Sequence, residues 1–224
     1  MVAFVVGNIG STTFRSPGKI QFGVHTKVGT LCRKNGRSMI MVASAESAED
    51  VELSSEALRC LSFLRGQRSV FCALQGFSAV DAALMRKNDT ARSYISDVQL
   101  NHATGCPGKD LYRDIRDNAQ VIVEKAFDSF SQKYSALVAP PTVRKNIEID
   151  AEWLLRIIGY GVAGGSLKFF NKESLALYPI LYNEIGADTA VFMDLIRELK
   201  KATQSAIGTD AANKYFDSAL ETIA

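Results

Sequence analysis

Apolar residues recur at three- and four-residue intervals along most of the chain beyond residue 110, which is the period of a helix face. Leu111, Ile115, Ala119, Ile122, Ala126, Phe127, Phe130 and Tyr134 line one side of what this spacing predicts as a single long helix. Pro140-Pro141 marks the connection after it, because proline lacks the amide proton that a helix interior needs. A second helix carries Trp153, Leu154, Ile157, Ile158 and Val162 and stops near Gly164-Gly165. Asn171 can cap a third, through Leu175, Leu177, Ile180, Leu181 and Ile185, closed by Gly186. Pro179 falls inside that run and predicts a kink or a break into two short pieces. Asp188 is the next candidate cap, ahead of Phe192, Leu195, Ile196, Leu199 and Ala202. Gly208-Thr209 then separates a last helix with Tyr215, Phe216, Ala219, Leu220 and Ile223 on its apolar side. Helices in succession with short connections predict an all-α domain.

The earlier part of the chain is patterned differently. Val51 to Leu64 reads as a short amphipathic helix broken by Gly66, and a further helical run from about Ser69 to Leu84 is weakened by Gly76. Charge separates the first residues from the rest. Residues 1–45 hold six basic residues (Arg15, Lys19, Lys27, Arg33, Lys34, Arg37) and no acidic one before Glu46. Taking those six from the 26 basic residues leaves 20 against 24 acidic, a balance near −4 that is not built to hold nucleic acid. An acid-free start with Ser, Thr, Gly and scattered Arg/Lys fits an organelle transit peptide over residues 1–43, with Arg37 to Ser44 as the processing region. Met1-Val2-Ala3-Phe4-Val5 is similar to plastid-targeting sequences in its early phenylalanine. An unstructured or strand-forming N-terminus is the alternative. No apolar run reaches membrane-spanning length.

Candidate chemistry is sparse. Cys32, Cys60, Cys72 and Cys106 show no Cys-x-x-Cys spacing and no metal-spaced histidines, which leaves reduced, partly buried thiols rather than a zinc site. The two histidines are His25 and His102, and the helix from Asn171 has none to offer a haem iron. There is no Gly-rich phosphate loop, nucleophile elbow or convincing acid/base pair, so an enzyme is not expected.

The stretch Ile147 to Gly165 carries the most specific pattern. It resembles the central helix of the phycobiliproteins (phycocyanin, allophycocyanin, phycoerythrin), which reads Cys, Asp three residues on, Leu-Arg at eight and nine, and Tyr at thirteen. Counted from Ile147, the matching residues are Asp150, Leu155, Arg156 and Tyr160. Asn88-Asp89-Thr90-Ala91-Arg92-Ser93-Tyr94-Ile95-Ser96 is similar to the family's N-terminal arm. Asn118 to Phe130 resembles the helix before the pigment loop, and Tyr215-Phe216-Asp217-Ser218-Ala219 the closing run. The resemblance covers roughly residues 77–224. It implies a globin-like helical domain with a two-helix arm that packs on a partner subunit. In the family an arm aspartate reaches the partner's central-helix Arg and Tyr; here the matching residues are Asp89, Arg156 and Tyr160. A guanidinium and a phenol four residues apart can both serve one carboxylate. Removing one member of such a pair costs about 2–5 kcal/mol if it is desolvated, and an exposed pair contributes roughly 0–1 kcal/mol. A surface contact within one chain is the alternative reading.

The departures from the family matter equally. Isoleucine stands at position 147, where the family has the cysteine that forms the thioether to its bilin, and Ile149 replaces an arginine found near a bilin propionate. The connection Ala139–Lys145 is short where many pigment-bearing members have a longer loop. Asp150 is retained from the residue that holds the pyrrole nitrogens, and it also suits a helix start, where a carboxylate favours the dipole. None of Cys60, Cys72 and Cys106 lies at a family attachment position. The expectation is therefore a protein without cofactor, similar to the pigmentless rod-stabilising proteins of red-algal phycobilisomes. It would dock on phycobiliprotein subunits or linker proteins at the stromal face of the plastid thylakoid, without spanning the membrane. Residues 44–76 would add a docking helix through Leu53, Leu58, Leu61 and Leu64, or those leucines pack on the parent domain. An assembly chaperone for the same subunits uses the same interface, and a haem-binding globin-type sensor is the third reading.

Overall fold

A computed structural model describes residues 20–21, 29–34, 37–42, 51–52, 54–56, 59–60, 73–183 and 187–224. From Ala79 onward the regular elements are helices: α1 (Ala79–Thr90), α2 (Asp97–His102), α3 (Lys109–Asp117), α4 (Ala119–Lys133), α5 (Pro141–Gly164), α6 (Lys172–Leu175), α7 (Tyr178–Asn183), α8 (Thr189–Ile207) and α9 (Asn213–Ile223). This is the all-α, globin-like domain that the helical periodicity and the family pattern predict. Ahead of it lie four short strands, β1 (Ile20–Gln21), β2 (Gly29–Lys34), β3 (Arg37–Val42) and β4 (Val51–Glu52), in an antiparallel sheet of order β1-β2-β3-β4. The segment read as a leader thus carries β1 to β3. Val51 and Glu52 pair with Ile40 and Met39 instead of opening a helix, and helical backbone follows at Ser55, Glu56, Arg59 and Cys60.

Local chemistry sets most helix ends. Ser78 opens α1 by accepting from the Asp81 amide, and a reciprocal Ser96–Gln99 capping box opens α2. Asp188 accepts from the Val191 amide at 3.0 Å to start α8. Gly165, at φ +67°, ends α5 in the left-handed conformation that glycine adopts without a Cβ penalty. Asn171 accepts from the Glu173 amide at 3.1 Å, and the run behind it breaks into α6 and α7 at Ala176 and Leu177, with Pro179 in the first turn of α7. The proposed closure at Gly186 lies outside the described residues.

Three expectations are corrected. The predicted long helix is two, because Asn118 leaves helical geometry (φ −103°, ψ 7°) and its side-chain amide donates to the Asp114 carbonyl at 2.8 Å. Its apolar face nevertheless continues across the break, with Ile115, Ile122, Ala126, Phe127 and Phe130 all buried. Of the helical run expected from about Ser69 to Leu84, residues 69–72 lie outside the described residues; the chain turns at Leu74 (φ 50°) and Gly76 (φ 87°), and helix runs from Ala79 to Thr90. The central helix starts at Pro141, since a proline in the first turn lacks only an amide that would be unbonded there. Residues 141–145, read as connection, are therefore helix.

α5 is the axis of the domain. Every residue from Leu154 to Ala163 is buried, so this stretch meets protein on all sides. α3 and α4 pack on it, as do α8 and α9 and the arm helix α1. Close approach of α3 to the end of α5 depends on Gly108, whose amide donates to the Ala163 carbonyl at 3.0 Å. A Cβ at Gly108 would stand 1.9 Å from the Val162 carbonyl oxygen. Backbone cannot step aside as a side-chain tip can, so Gly108→Ala is expected to destabilise the domain by about 1–3 kcal/mol. Urea denaturation followed by circular dichroism checks it; an unchanged midpoint would contradict the packing described.

Candidate functional site

The arm residues and the central helix meet at one corner. Arg156 is 7% exposed and donates through Nη2 to Asp89 Oδ1 at 3.3 Å, with Asp89 in the last turn of α1 of the same chain. The Arg156 Nε is buried without a hydrogen-bond partner. One turn further along α5, Tyr160 donates its hydroxyl to the Ser93 carbonyl at 2.9 Å. Asp89, Arg156 and Tyr160 are thus brought together, and within a single chain the Asp89–Arg156 pair is closed by the protein's own arm. Leu53, Leu58, Leu61 and Leu64 lie outside the described residues.

The loop between α1 and α2 is fastened by residues that sequence reasoning missed. Tyr112 accepts from the Ile95 amide at 2.7 Å, and Arg116 donates to the Ile95 carbonyl at 3.2 Å. Arg116 and Arg113 both reach Asp97, at 3.1 and 3.0 Å, and hold its carboxyl below the usual range, Arg116 contributing most. Met85, Ile95 and Leu100 are fully buried, so the arm is continuous with the core. The available signal was that Tyr112, Arg113 and Arg116 are polar-tipped residues within a run of core positions.

Nearer its start, α5 presents a second arrangement. Ile147 is 2% exposed, Ile149 is half-buried, and Asp150 is buried and accepts the Tyr182 hydroxyl at 2.9 Å. Burial pushes the Asp150 carboxyl up to about 7, against the opposing effect of the tyrosine bond. The role of Asp150 as a helix-start residue is corrected: α5 begins at Pro141, and dipole attraction is confined to the first turn. Tyr182 lies edge-on to Phe192 with ring centres 5.1 Å apart. Trp153, Phe170 and Phe169 follow as a chain of aromatic contacts. Nothing in the local pattern singled out Tyr182, which is one aromatic among the apolar positions of its run.

Cys60 and Cys106 are buried free thiols, and burial, then the nearby Asp81, raise Cys106 to about 11. It is therefore a poor nucleophile at neutral pH. Cys32 and Cys72 lie outside the described residues. Among the described residues no cluster of His, Cys, Asp and Glu can hold a metal, and no helix is long and apolar enough to cross a membrane. His102 is exposed on α2, and His25 lies outside the described residues.

A globin-like bundle with a buried Arg–Tyr pair on its central helix and an arm folded over it defines a phycobiliprotein-type domain. Residues 83–223 match the family model described as "Phycobilisome protein", and the chain belongs to that family. It is 30% identical over 132 residues to the "Allophycocyanin alpha-B chain" of Porphyra purpurea, covering 55% of this chain and 82% of that one. Over 129 residues it is 26% identical to the "Allophycocyanin subunit alpha-B" of a Nostoc species, covering 54% and 80%. The "Allophycocyanin alpha chain" of Cyanophora paradoxa is 27% identical over 154 residues, covering 62% and 95%. A solved far-red fluorescent biliprotein derived from an allophycocyanin F subunit of Chroococcidiopsis thermalis aligns with TM-score 0.46 and 23% identity, over 52% of this chain and 95% of that one. Family membership places the protein among non-catalytic light-harvesting proteins rather than enzymes.

Asp150 generates a pH prediction. The folded chain holds this proton up to about pH 7, whereas an unfolded aspartate releases it near 3.8. The folded state therefore binds more protons across that interval, and this group's contribution to stability falls as pH rises through it. Asp150→Asn should flatten that part of the dependence, so the gap in melting temperature between variant and wild type changes from pH 4 to pH 7 and levels off above. A gap constant with pH would contradict a proton held on Asp150.

Proposed function

We propose that this protein is a bilin-free structural component of the phycobilisome that docks on phycobiliprotein subunits or linker proteins and stabilises the antenna. The observation that carries the reading is Ile147. It stands on α5 where the family's thiol would be, it is buried, and a saturated hydrocarbon side chain offers no atom for a thioether. Asp150 is engaged by Tyr182, and the connection before α5 leaves only residues 134–140 between helices. The residues present at this place do not fit a covalently attached bilin. What remains is the scaffold and its corner.

Docking is supported by the state of Arg156. A guanidinium carries five donors, and here a nearly buried one makes a single 3.3 Å bond to Asp89 while its Nε has no hydrogen-bond partner. A partner's carboxylate reaches it only after the arm that carries Asp89 moves aside, because the Nε is enclosed. The corner formed by Asp89, Arg156 and Tyr160 is accordingly the proposed contact, with Leu58, Leu61 and Leu64 of the 44–76 extension as a further apolar contact. Residues 1–43 would direct the chain to the plastid, where it works in the stroma against the thylakoid face.

Arg156→Glu is expected to abolish co-elution with its phycobiliprotein partner by size exclusion while far-UV circular dichroism stays helical. Undiminished co-elution removes Arg156 from the interface. Mass spectrometry of intact, isolated phycobilisomes should find the chain at fixed stoichiometry and without zinc-enhanced bilin fluorescence. A covalent bilin on the native chain would overturn the reading, and absence from intact antennae would favour a transient assembly role instead.

A further inference from the structure

Arg92 stands in the loop that follows α1, in a backbone conformation that arginine seldom takes. Its φ is 52°, in the left-handed region, and its amide donates to the Asp89 carbonyl at 3.0 Å. Glycine holds that geometry without a Cβ penalty, so an arginine is kept there against the preference of the backbone. The loop is fastened to α5 on both sides of it. Asp89, before it, is bonded to Arg156 at 3.3 Å, and the carbonyl of Ser93, after it, accepts from Tyr160 at 2.9 Å. The Ser93 amide donates to the Asn88 carbonyl at 2.9 Å, which closes the turn from within. Arg92 is therefore set over the corner by bonds that flank it.

Its side chain is exposed and makes no hydrogen bond or salt bridge among the described residues. Arg113, Arg116 and Arg156, by contrast, each reach a carboxylate. Partial desolvation, then the like charge of Arg156, lower the Arg92 guanidinium from its usual value, and Asp89 acts the other way. Arg92 and Arg156 thus bring two positive charges to a corner where Asp89 is bonded to the buried one. A backbone outlier that carries an unbonded cation at a fixed place marks a contact residue better than it marks a structural one.

Resting on the docking reading above, we propose that Arg92 is the cation of this corner that meets the partner, receiving an acidic side chain of a phycobiliprotein subunit while the arm stays closed over Arg156. In that closed state the Arg156 Nε is enclosed, whereas the Arg92 guanidinium is open to solvent. A guanidinium presents paired N–H donors that match the edge of a carboxylate, so geometry as well as charge selects such a group. Asp89, Arg156 and Tyr160 then hold the loop from behind, and Arg92 makes the contact.

The test uses the full-length chain, immobilised, and the bilin-bearing subunits released by dissociating phycobilisomes from its own cell. Retained subunit is read by bilin absorbance at low and at raised salt. Arg92→Gly relieves the left-handed backbone, so its melting temperature should equal or exceed that of wild type while retention at low salt falls severalfold. Arg92→Glu sets a carboxylate against the partner's and should lower retention by roughly tenfold or more. Arg92→Lys keeps the charge without the paired donors and should fall between wild type and the glycine variant. Added salt should bring wild type towards the glycine variant, because an exposed charge pair is screened. Retention by Arg92→Gly and Arg92→Glu equal to that of wild type overturns the proposal. A glycine variant whose melting temperature drops together with its retention overturns it too, since that marks Arg92 as a structural residue. Failure of the wild-type chain to retain any subunit would instead sink the docking reading.

Discussion

The structure depends on the complete burial of α5 from Leu154 to Ala163. A helix enclosed on all sides leaves no water to satisfy its polar residues, so each must find a partner within the protein. Arg156 and Tyr160 stand inside this enclosed stretch, and the partners come from the arm, as Asp89 and the Ser93 carbonyl. The arm's position is thus a consequence of the axis it covers. Tyr112, Arg113 and Arg116 of α3 hold the next part of the arm in the same way, from the neighbouring helix.

Two buried polar groups on one helix are handled by opposite means. Arg156 is matched by the Asp89 carboxylate. Among the described residues no cation pairs with Asp150; burial favours its neutral form, and a phenol donates to it. The first solution leaves the Arg156 Nε, itself buried, without a hydrogen bond. In the proposed function the docking corner of a phycobiliprotein-type scaffold persists, and position 147 holds no thiol for a pigment.

Much of this was legible from residue order. Apolar spacing located α8 and α9 with their caps at Asp188 and Gly208, and Pro179 announced the break between α6 and α7. The pattern Asp150, Leu155, Arg156, Tyr160 identified the family, and the missing thiol at Ile147 was visible at once. These are local features, encoded by the helical period, by proline's missing amide and by the capping chemistry of short polar side chains. Where a local rule met a tertiary demand it failed: apolar spacing ran straight through Asn118, because the two helices on either side share one buried face across the break.

The sequence by itself determined that the domain is helical, which faces of α4, α8 and α9 are apolar and that position 147 carries no thiol, since each follows from neighbours within a few residues. Only the tertiary structure decided where Asp89 and Arg156 meet, across 67 positions, and that Tyr182 takes Asp150 across 32. Such pairings have no periodicity to betray them. They arise when packing brings two polar groups to the same dry place and each must be satisfied by whatever the fold delivers there.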